Sequence, residues 1–324
     1  MNKGYGYAMA LVLAVCAGDV SAQDAGPAWP ARLVRIIVPS SPAGGTDSYA
    51  RLLAHGLGEA FKQRFVVDNR PGASGAIGAE VVAKSAPDGY TLMVSSMNAL
   101  IINPSLYKNL PYDAERDFAP VARGVVSPNV FTSHPSVPAK TLPALIALAK
   151  REPGKLTYGT AGVGSSGNIA VKMVEEASGA RFLHVPYKGT GQAVPALIRG
   201  EIVFMVSEIA TAHPHIQSGR VLALAASHRT SHLPGTPTLA DAGYPNVDAS
   251  PAFSVTAPAG TPPAIVQRLS AEIVGLARTP AFRERLDVRA LIPIFDTPDE
   301  FAVTLRKERA RFAEIIRRNN ILVE

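Results

Sequence analysis

Apolar and polar segments alternate along the chain in an order that predicts strands followed by helices. Val34–Val38 is apolar except for Arg35 and ends at a proline, which is typical of a buried strand. Further strands are predicted to begin at Val66 and to span Tyr90–Val94. A helix with Thr46 as its N-cap is predicted after the first strand, because apolar residues recur there at helical spacing: Tyr49, Leu52, Leu53, Leu57, Ala60 and Phe61. This order predicts a mostly parallel sheet covered on both faces.

The middle of the chain repeats the alternation and predicts a second αβ unit. After a strand at Val121–Val126, the predicted strands are Val130–Ser133, Leu156–Tyr158, Arg181–Val185, Ile202–Val206 and Val221–Ala226. The predicted helices, after an earlier one at Gly75–Lys84, are Thr141–Arg151, Asn168–Ala177, Thr190–Arg199 and Ala212–Ser218. A strand at Phe253–Ala257 could rejoin the first sheet. The chain has 324 residues, so two domains or one large one are expected.

Three Thr-Pro pairs near the end of the chain predict three helix starts. Threonine at the N-cap followed by proline is a strong start signal, and the pairs begin at Thr261, Thr279 and Thr297. Thr297 and Glu300 also have the spacing of a capping box. The last helix is predicted to bury one side, formed by Phe301, Leu305, Phe312, Ile315 and Ile316.

Two glycine-rich loops each connect a predicted strand to a helix N-terminus. The first spans residues 39–47 and the second residues 159–166. A helix N-terminus presents unpaired N–H groups and the positive end of the helix dipole, so it suits a carboxylate or phosphate. Ligands of open α/β sheets bind beyond the carboxyl ends of the strands, where Ser95–Asn98 also lies. Two such loops favour a shared anionic ligand over two ordinary tight turns.

Other site chemistries find less support in the sequence. Gly162–Gly167 has the G-x-G-x-x-G spacing of a dinucleotide loop, but the next predicted strand ends without an acidic residue for a ribose. No serine has glycine at both −2 and +2, as a hydrolase elbow requires. The pairs His213/His215 and His228/His232 could be metal ligands, but no carboxylate falls in register with them. No catalytic residue, metal site or cofactor is therefore assigned.

The N-terminus has the features of a cleaved secretory signal peptide covering residues 1–22. Lys3 precedes an apolar run at Ala8–Ala17, and small residues stand before a cleavage point after Ala22. Cys16 is the only cysteine, so the predicted mature chain has no thiol for disulfides or zinc–thiolate sites. The net charge of +6 is spread along the chain, which argues against a nucleic-acid patch and favours encounter with anionic small molecules.

A series of short motifs, in this order, resembles one family over essentially the whole predicted mature chain. The motifs are Ile36-Ile37-Val38-Pro39, Gly44-Gly45-Thr46-Asp47, Asn69-Arg70-Pro71-Gly72, Ala86-Pro87-Asp88-Gly89-Tyr90, Ile102-Asn103-Pro104-Ser105-Leu106-Tyr107, Leu110-Pro111-Tyr112-Asp113, His184-Val185-Pro186-Tyr187-Lys188-Gly189 and Ala257-Pro258-Ala259-Gly260-Thr261-Pro262. Each is weak alone, and together they are specific. The chain is similar to the Bug-type periplasmic solute-binding proteins, the receptors of tripartite tricarboxylate transport systems.

The resemblance implies an α/β type II periplasmic-binding-protein fold with two αβ domains and a ligand cleft between them. Domain 1 is expected to be discontinuous, from residues 23–126 and 248–324, and domain 2 to span residues 127–247. The loop that matches Pro39–Asp47 is expected to hold a ligand carboxylate, which the loop matching Ala161–Asn168 receives from the other domain. The residues expected to bind ligand are Ser41, Pro42, Ala43, Gly44, Gly45, Thr46, Asp47, Ser95, Asn98, Ala161, Gly162, Gly164, Ser165, Ser166, Asn168 and Ser207.

Several pocket positions depart from the family pattern. Ser40 stands where Phe is common, Asn168 where His is common and Ala252 where Trp is common, while Val203 and Ser207 stand where Asp is frequent. Loss of an acid at Ser207 would weaken recognition of an amine. The resulting hypothesis is a carboxylate ligand without a free amine that is larger than aspartate.

The resemblance implies a monomeric periplasmic receptor that captures a small organic acid and delivers it to membrane transporter subunits. It implies no enzymatic activity and no nucleic-acid partner. An α/β enzyme that uses the same cleft for a phosphorylated or nucleotide substrate is the alternative. A ligand-binding partner of a signalling receptor is a weaker third possibility.

Overall fold

The computed structural model describes residues 29–42 and 44–321 as two mixed β-sheets flanked by helices. The predicted signal peptide, residues 1–22, and the predicted site residue Ala43 lie outside the described residues. The strands are β1 Val34–Val38, β2 Phe65–Asn69, β3 Thr91–Ser96, β4 Phe118–Val126, β5 Asn129–Ser133, β6 Thr157–Thr160, β7 Leu183–Pro186, β8 Phe204–Glu208, β9 Leu222–Ala226, β10 Ala252–Pro258 and β11 Ile292–Asp296.

Helices cover the faces of both sheets. They are α1 Gly45–Phe61, α2 Ala76–Ala83, α3 Asn98–Ile101, α4 Asn103–Leu106, α5 Leu142–Arg151, α6 Ser166–Ser178, α7 Thr190–Ile198, α8 Ile209–Gln217, α9 Pro263–Arg278, α10 Pro280–Asp287 and α11 Pro298–Arg318, with a 3₁₀ turn at Ala73–Gly75. Within residues 29–42 and 44–321, no helix has the length and apolar character needed to cross a membrane. In α11, the residues predicted from spacing are the buried ones, which confirms that prediction.

The six-stranded sheet has the order β11-β4-β10-β3-β1-β2, and the five-stranded sheet has the order β7-β6-β8-β5-β9. We refer to the αβ unit around each sheet as lobe 1 and lobe 2, respectively. The strand predicted at Phe253–Ala257 does rejoin the first sheet, where β10 lies antiparallel between β3 and β4. β5 lies antiparallel between β8 and β9 in the second sheet.

The mostly parallel sheet that was predicted is in fact a mixed sheet, and so is the second one. Pairings β1–β2, β1–β3, β6–β7 and β6–β8 are parallel, whereas those made by β10, β5 and β11 are antiparallel. The strands β5 and β10 follow the crossings between lobes and enter their sheets from the opposite end. Apolar periodicity locates a strand without giving its direction.

The main chain passes between the lobes at Ser127-Pro128 and again before β10. The two crossings are bonded to each other, because Ser127 N–H donates to the Pro251 carbonyl at 2.9 Å. In lobe 2, Ile209 N–H donates to the Pro128 carbonyl at 2.8 Å. These bonds join the crossings side by side. The expected domain limits at 126/127 and 247/248 lie beside these crossings and stay predictions.

Two predicted helix caps differ from the structure. Helix α1 begins at Gly45 with the extended residue Gly44 as its N-cap, so Thr46 lies inside the first turn. Pro262 is the N-cap of α9, and the Thr261 hydroxyl instead donates to the Pro258 carbonyl at 2.7 Å. The caps at Thr279 and Thr297 are confirmed, and Thr297 forms the capping box with Glu300.

Candidate functional site

Both glycine-rich loops line one cleft between the lobes, with a volume of about 610 Å³. Lobe 1 contributes Pro39, Ser40, Ser41 and Thr46 from the first loop, and lobe 2 contributes residues 161–165 from the second. The remaining wall comes from lobe 1 and includes Ser74, Ser96, Asn98, Asn103 and Tyr107. The cleft therefore joins two helix N-termini, those of α1 and α6, with several hydroxyl and amide side chains.

A buried acid positions the first loop. Asp47 is 3 % exposed, and its carboxylate accepts hydrogen bonds from Asn69 Nδ2 at 3.0 Å and Arg51 Nε at 2.9 Å. The Asn69 amide also donates to the Ser40 carbonyl at 3.1 Å. This network ties the loop to β2 and to the first turn of α1. Asp47 thus fixes the shape of the loop. Its carboxylate oxygens accept hydrogen bonds, so they offer no donor to a bound anion.

The second loop is held by bonds within itself. Ser165 is the N-cap of α6, accepting from Asn168 N–H at 3.3 Å, and its hydroxyl donates to the Gly162 carbonyl at 2.7 Å. Asn168 is 2 % exposed, and its Oδ1 accepts from Gly164 N–H at 3.0 Å while its Nδ2 donates to the Tyr158 hydroxyl at 3.0 Å. The Asn168 side chain therefore acts beneath the loop and fixes Gly164.

A neutral histidine supports the floor of the second loop. The ring of His184 stacks on Tyr158 with centroids 4.7 Å apart, and its Nε2 lies 2.7 Å from Thr160 Oγ1. Burial, together with the charge of Lys172, lowers the pKa of His184 to about 4. Tyr158 is also affected, because burial raises the pKa of its phenol. At neutral pH the loop therefore rests on uncharged rings.

We expect the free energy of unfolding to fall as the pH is lowered from 6.5 to about 4. The unfolded chain binds a proton on His184 near pH 6.5, whereas the folded protein binds it only near the lower pKa, so acid favours unfolding across this window. Urea titrations at several pH values would measure the dependence. His184→Phe keeps an aromatic ring but cannot titrate, so its pH dependence should be smaller. An unchanged slope in that variant would contradict the assignment.

The structure places seven of the predicted site residues on the lining of this cleft. They are Ser41, Thr46, Asn98, Ala161, Gly162, Gly164 and Ser165. The other predicted residues that the structure describes do not line it: Gly44 and Gly45 face a neighbouring cavity, and outside the lining lie Pro42, Asp47, Ser95, Ser166, Asn168 and Ser207.

Ser95 is fully buried in β3, whereas the next residue, Ser96, reaches the cleft, because successive strand residues point to opposite faces. Ser207 is 4 % exposed on the central strand β8.

Some lining residues were missed by sequence reasoning. Asn103 donates from Nδ2 to the Ser74 carbonyl at 3.0 Å, and the Tyr107 hydroxyl donates to Ser74 Oγ at 2.7 Å. These bonds fix the 3₁₀ turn against α4 as one wall of the cleft. The signal that could have found the wall was present, since the family-like motif that ends at Tyr107 contains both Asn103 and Tyr107.

A second cavity of about 830 Å³ adjoins the first loop and is also lined by both lobes. Gly44, Gly45 and Ser48 contribute from lobe 1, and Glu208 and Thr190 from lobe 2. The cavity wall includes the basic residues Arg199, His215, Arg220 and Arg289. In residues 29–42 and 44–321, no group of three or more His, Cys, Asp or Glu side chains is arranged to hold a metal ion.

Two mixed α/β lobes with a ligand-sized cleft between them define the class of periplasmic binding proteins. Residues 49–321 match the family described as the tripartite tricarboxylate transporter family receptor, TctC. The chain belongs to this family. The resemblance found from the short motifs is thereby confirmed, as is the two-domain fold with an intervening cleft.

Similar proteins match this chain over nearly its full length. The chain is 36 % identical to protein BugT of Bordetella pertussis over 306 residues, which cover 94 % of each chain. An R. palustris protein solved with adipate is 30 % identical, with a TM-score of 0.84 over 91 % of this chain and all of that one. MatC from Rhodopseudomonas palustris, solved with bound malate, is 28 % identical, with a TM-score of 0.78 over 89 % of this chain and all of that one.

Proposed function

We propose that this protein is a periplasmic receptor that captures a small organic carboxylate between its lobes and delivers it to a tripartite tricarboxylate-type membrane transporter. The observation that carries the proposal is the convergence of both glycine-rich loops on one cleft. Two relatives of the same fold were solved with adipate and malate, which are both small dicarboxylates. A cleaved signal peptide after Ala22 would deliver the receptor to the periplasm.

The cleft offers donors suited to a carboxylate. Thr46 in the first turn of α1 and Ser165, the N-cap of α6, line it, and N–H groups in a first turn have no partner within their own helix. Ser40 Oγ is buried without a hydrogen-bond partner in the described part of the chain, so it is available to a ligand. Hydrogen bonds to a charged group contribute about 1.5–3 kcal/mol each. A few of them can therefore hold a small dianion at micromolar affinity, and closure of the lobes would signal that ligand is bound.

An α/β enzyme acting on a nucleotide in the same cleft is the second candidate. It is favoured only by the G-x-G-x-x-G spacing, and the loop there is occupied by its own bonds from Ser165 and Asn168. Mass spectrometry of small molecules released by denaturing the purified protein separates the two. An organic acid supports the receptor, and a nucleotide supports the enzyme.

Replacing Ser165 with alanine should abolish the thermal stabilisation that a bound carboxylate gives. Ser165 lines the cleft, caps α6 and bonds to Gly162, so the variant loses a ligand donor and a loop contact together. Loss of the cap alone costs about 1 kcal/mol. A thermal-shift screen with di- and tricarboxylates would first find a ligand for the wild type and then test the variant.

Thr141→Ala is the matched control. Thr141 caps α5 through a bond of 3.3 Å from Ala144 N–H, the same length as the cap at Ser165, and it is exposed away from the cleft. It should lose the stability that the cap provides and keep the full ligand-induced shift. A Ser165→Ala protein that shifts as much as the control would remove the second loop from the site.

A further inference from the structure

The last helix, α11, is fixed to lobe 1 and to one of the crossings between the lobes. In lobe 1, the Arg309 guanidinium donates to the Leu100 and Ala114 carbonyls at 3.2 and 3.0 Å. Half a turn further along the helix, Arg311 donates at 2.6 Å to the Asp248 carbonyl, in the segment that leads into β10. The helix is therefore held at the hinge before it reaches lobe 2.

The C-terminal end of α11 is attached to lobe 2 through one acidic side chain. Glu176 on α6 accepts from Arg318 Nη1 at 3.1 Å with one carboxylate oxygen and from Asn319 Nδ2 at 3.2 Å with the other. Ile315 of α11 is 4 % exposed and belongs to a buried apolar cluster that also contains Met173 of α6. A helix of 21 residues is about 31 Å long, so α11 spans both lobes as one element.

The contact between α11 and α6 is only partly packed. A groove of about 500 Å³ lies beside it, lined by both helices and by the segment before the second crossing, at Met173, Ala177, Val247 and Ile315. Closely packed cores resist small displacements because each atom is fixed by its neighbours, whereas a groove leaves room for movement. Helix α6 can therefore shift relative to α11 while the first part of α11 stays fixed on lobe 1.

Hinge motion between the lobes must change this attachment. Because α11 is fixed to lobe 1 and to the second crossing, a rotation of lobe 2 displaces Glu176 relative to the end of the helix. The two bonds to Glu176 are made in the arrangement in which both glycine-rich loops line one cleft. They therefore stabilise that arrangement relative to one in which lobe 2 has rotated away.

We propose that α11 is a strap that holds the two lobes in the arrangement that forms the cleft, and that Glu176 is the residue that fastens it. This inference goes beyond the proposed function, because it concerns the relative motion of the lobes and its test requires no ligand. The strap is fastened when the cleft is formed and released when lobe 2 rotates away. An exposed ion pair contributes little to stability, but a small contribution is enough to shift a nearly balanced equilibrium between two arrangements.

Distances between two spin labels, one on each lobe, test the proposal in the ligand-free protein. The predicted mature chain has no cysteine, so Lys108→Cys in lobe 1 and Lys188→Cys in lobe 2 provide the only labelling sites. Both side chains are exposed. Lys108 follows Tyr107 in the cleft wall, and Lys188 follows Tyr187 beside the second glycine-rich loop. Pulsed electron paramagnetic resonance of this double-cysteine parent gives the population of each lobe arrangement.

Adding Glu176→Lys is expected to reduce the ratio of the cleft-forming arrangement to the others by about two- to fivefold, the range of one exposed ion pair. The lysine removes both bonds and places a cation beside Arg318. Arg318→Gln removes only the ion pair and keeps the bond from Asn319, so it should give a smaller change in the same direction. Combining Glu176→Lys with Arg318→Glu recreates an ion pair and should recover part of the lost population.

Glu80→Lys is the matched control. The Glu80 side chain is 35 % exposed, close to the 39 % of Glu176, and its partner Lys84 lies at the end of the same helix of lobe 1. Reversing this charge alters a pair within a single lobe, so it should leave the label distances unchanged. Melting curves verify that every variant folds.

The proposal is overturned if the distance distribution of Glu176→Lys is unchanged or shifts towards the cleft-forming distance. It is also overturned if the exchange of charges recovers nothing, or if Glu80→Lys gives the same change as Glu176→Lys. A protein that shows the expected distance changes but binds no carboxylate would keep the strap and lose the proposed function.

Discussion

Replacing Gly124 with alanine is expected to lower the free energy of unfolding by about 1–3 kcal/mol, the usual cost of overpacking a core. Gly124 lies in β4 beneath α1, and a Cβ there would overlap the hydroxyl oxygen of Tyr49 and lie 2.6 Å from its Cζ. Tyr49 is fully buried, so its ring has no free space into which it can move. Chemical denaturation of the wild type and the variant would measure the loss.

Tyr49→Phe tests the stated cause. The Tyr49 hydroxyl has no hydrogen-bond partner in the described part of the chain, and burial raises the pKa of this phenol above its usual range. Removing the hydroxyl should therefore be neutral or stabilising by about 1 kcal/mol. Gly124→Ala should cost less in the Tyr49→Phe background, because the overlapping oxygen is gone. An equal cost in both backgrounds would show that this contact is not the cause.

Replacing Gly164 with alanine is expected to reduce carboxylate affinity by tenfold or more, about 1.4 kcal/mol or above. Gly164 lies in the second glycine-rich loop, and a Cβ there would overlap Leu106 Cδ1 of lobe 1. The side chain would push the loop away from the opposite wall of the cleft. The backbone at Gly164, with φ of +73°, also disfavours any residue with a Cβ. Calorimetry with the ligand found by thermal shift would measure the change.

Gly179→Ala separates the contact from the backbone strain. Gly179 has φ of +75° at the end of α6, and nothing lies within 4 Å of a Cβ built there. Both variants should lose about 1 kcal/mol of stability from the left-handed backbone, but only Gly164→Ala should bind ligand weakly. Adding Leu106→Ala to Gly164→Ala should recover part of the affinity by making room. Equal affinities of the two glycine variants would contradict a role for the contact with Leu106.

Local sequence patterns predicted most of the elements correctly. Helix α7 forms despite Pro195, and strands β5, β6 and β9 lie within a few residues of their predicted limits. The exceptions have local reasons. Helices α3 and α4 are single turns, too short to show a helical period. Strand β11 contains Pro293 and a left-handed Phe295, so its apolar pattern is broken.

The candidate site was predictable as two loops but not in its details. Glycine and hydroxyl residues between a strand and a helix identified the loops at Gly44 and Gly162. Neighbouring residues of a strand point to opposite faces of the sheet. The sequence alone therefore does not decide whether Ser95 or Ser96 of β3 points into the cleft. Asn168 and Asp47 have the right chemistry for a ligand, and only the structure shows the hydrogen bonds by which they support the loops.

The sequence by itself determined where strands and helices form, where the two glycine-rich loops lie and which family the chain resembles, because these depend on residues close together in the chain. Only the tertiary structure decided the antiparallel placement of β5 and β10 and the convergence of both loops on one cleft. These features depend on contacts between distant residues, and the pattern of apolar positions contains no direction or distance for such contacts.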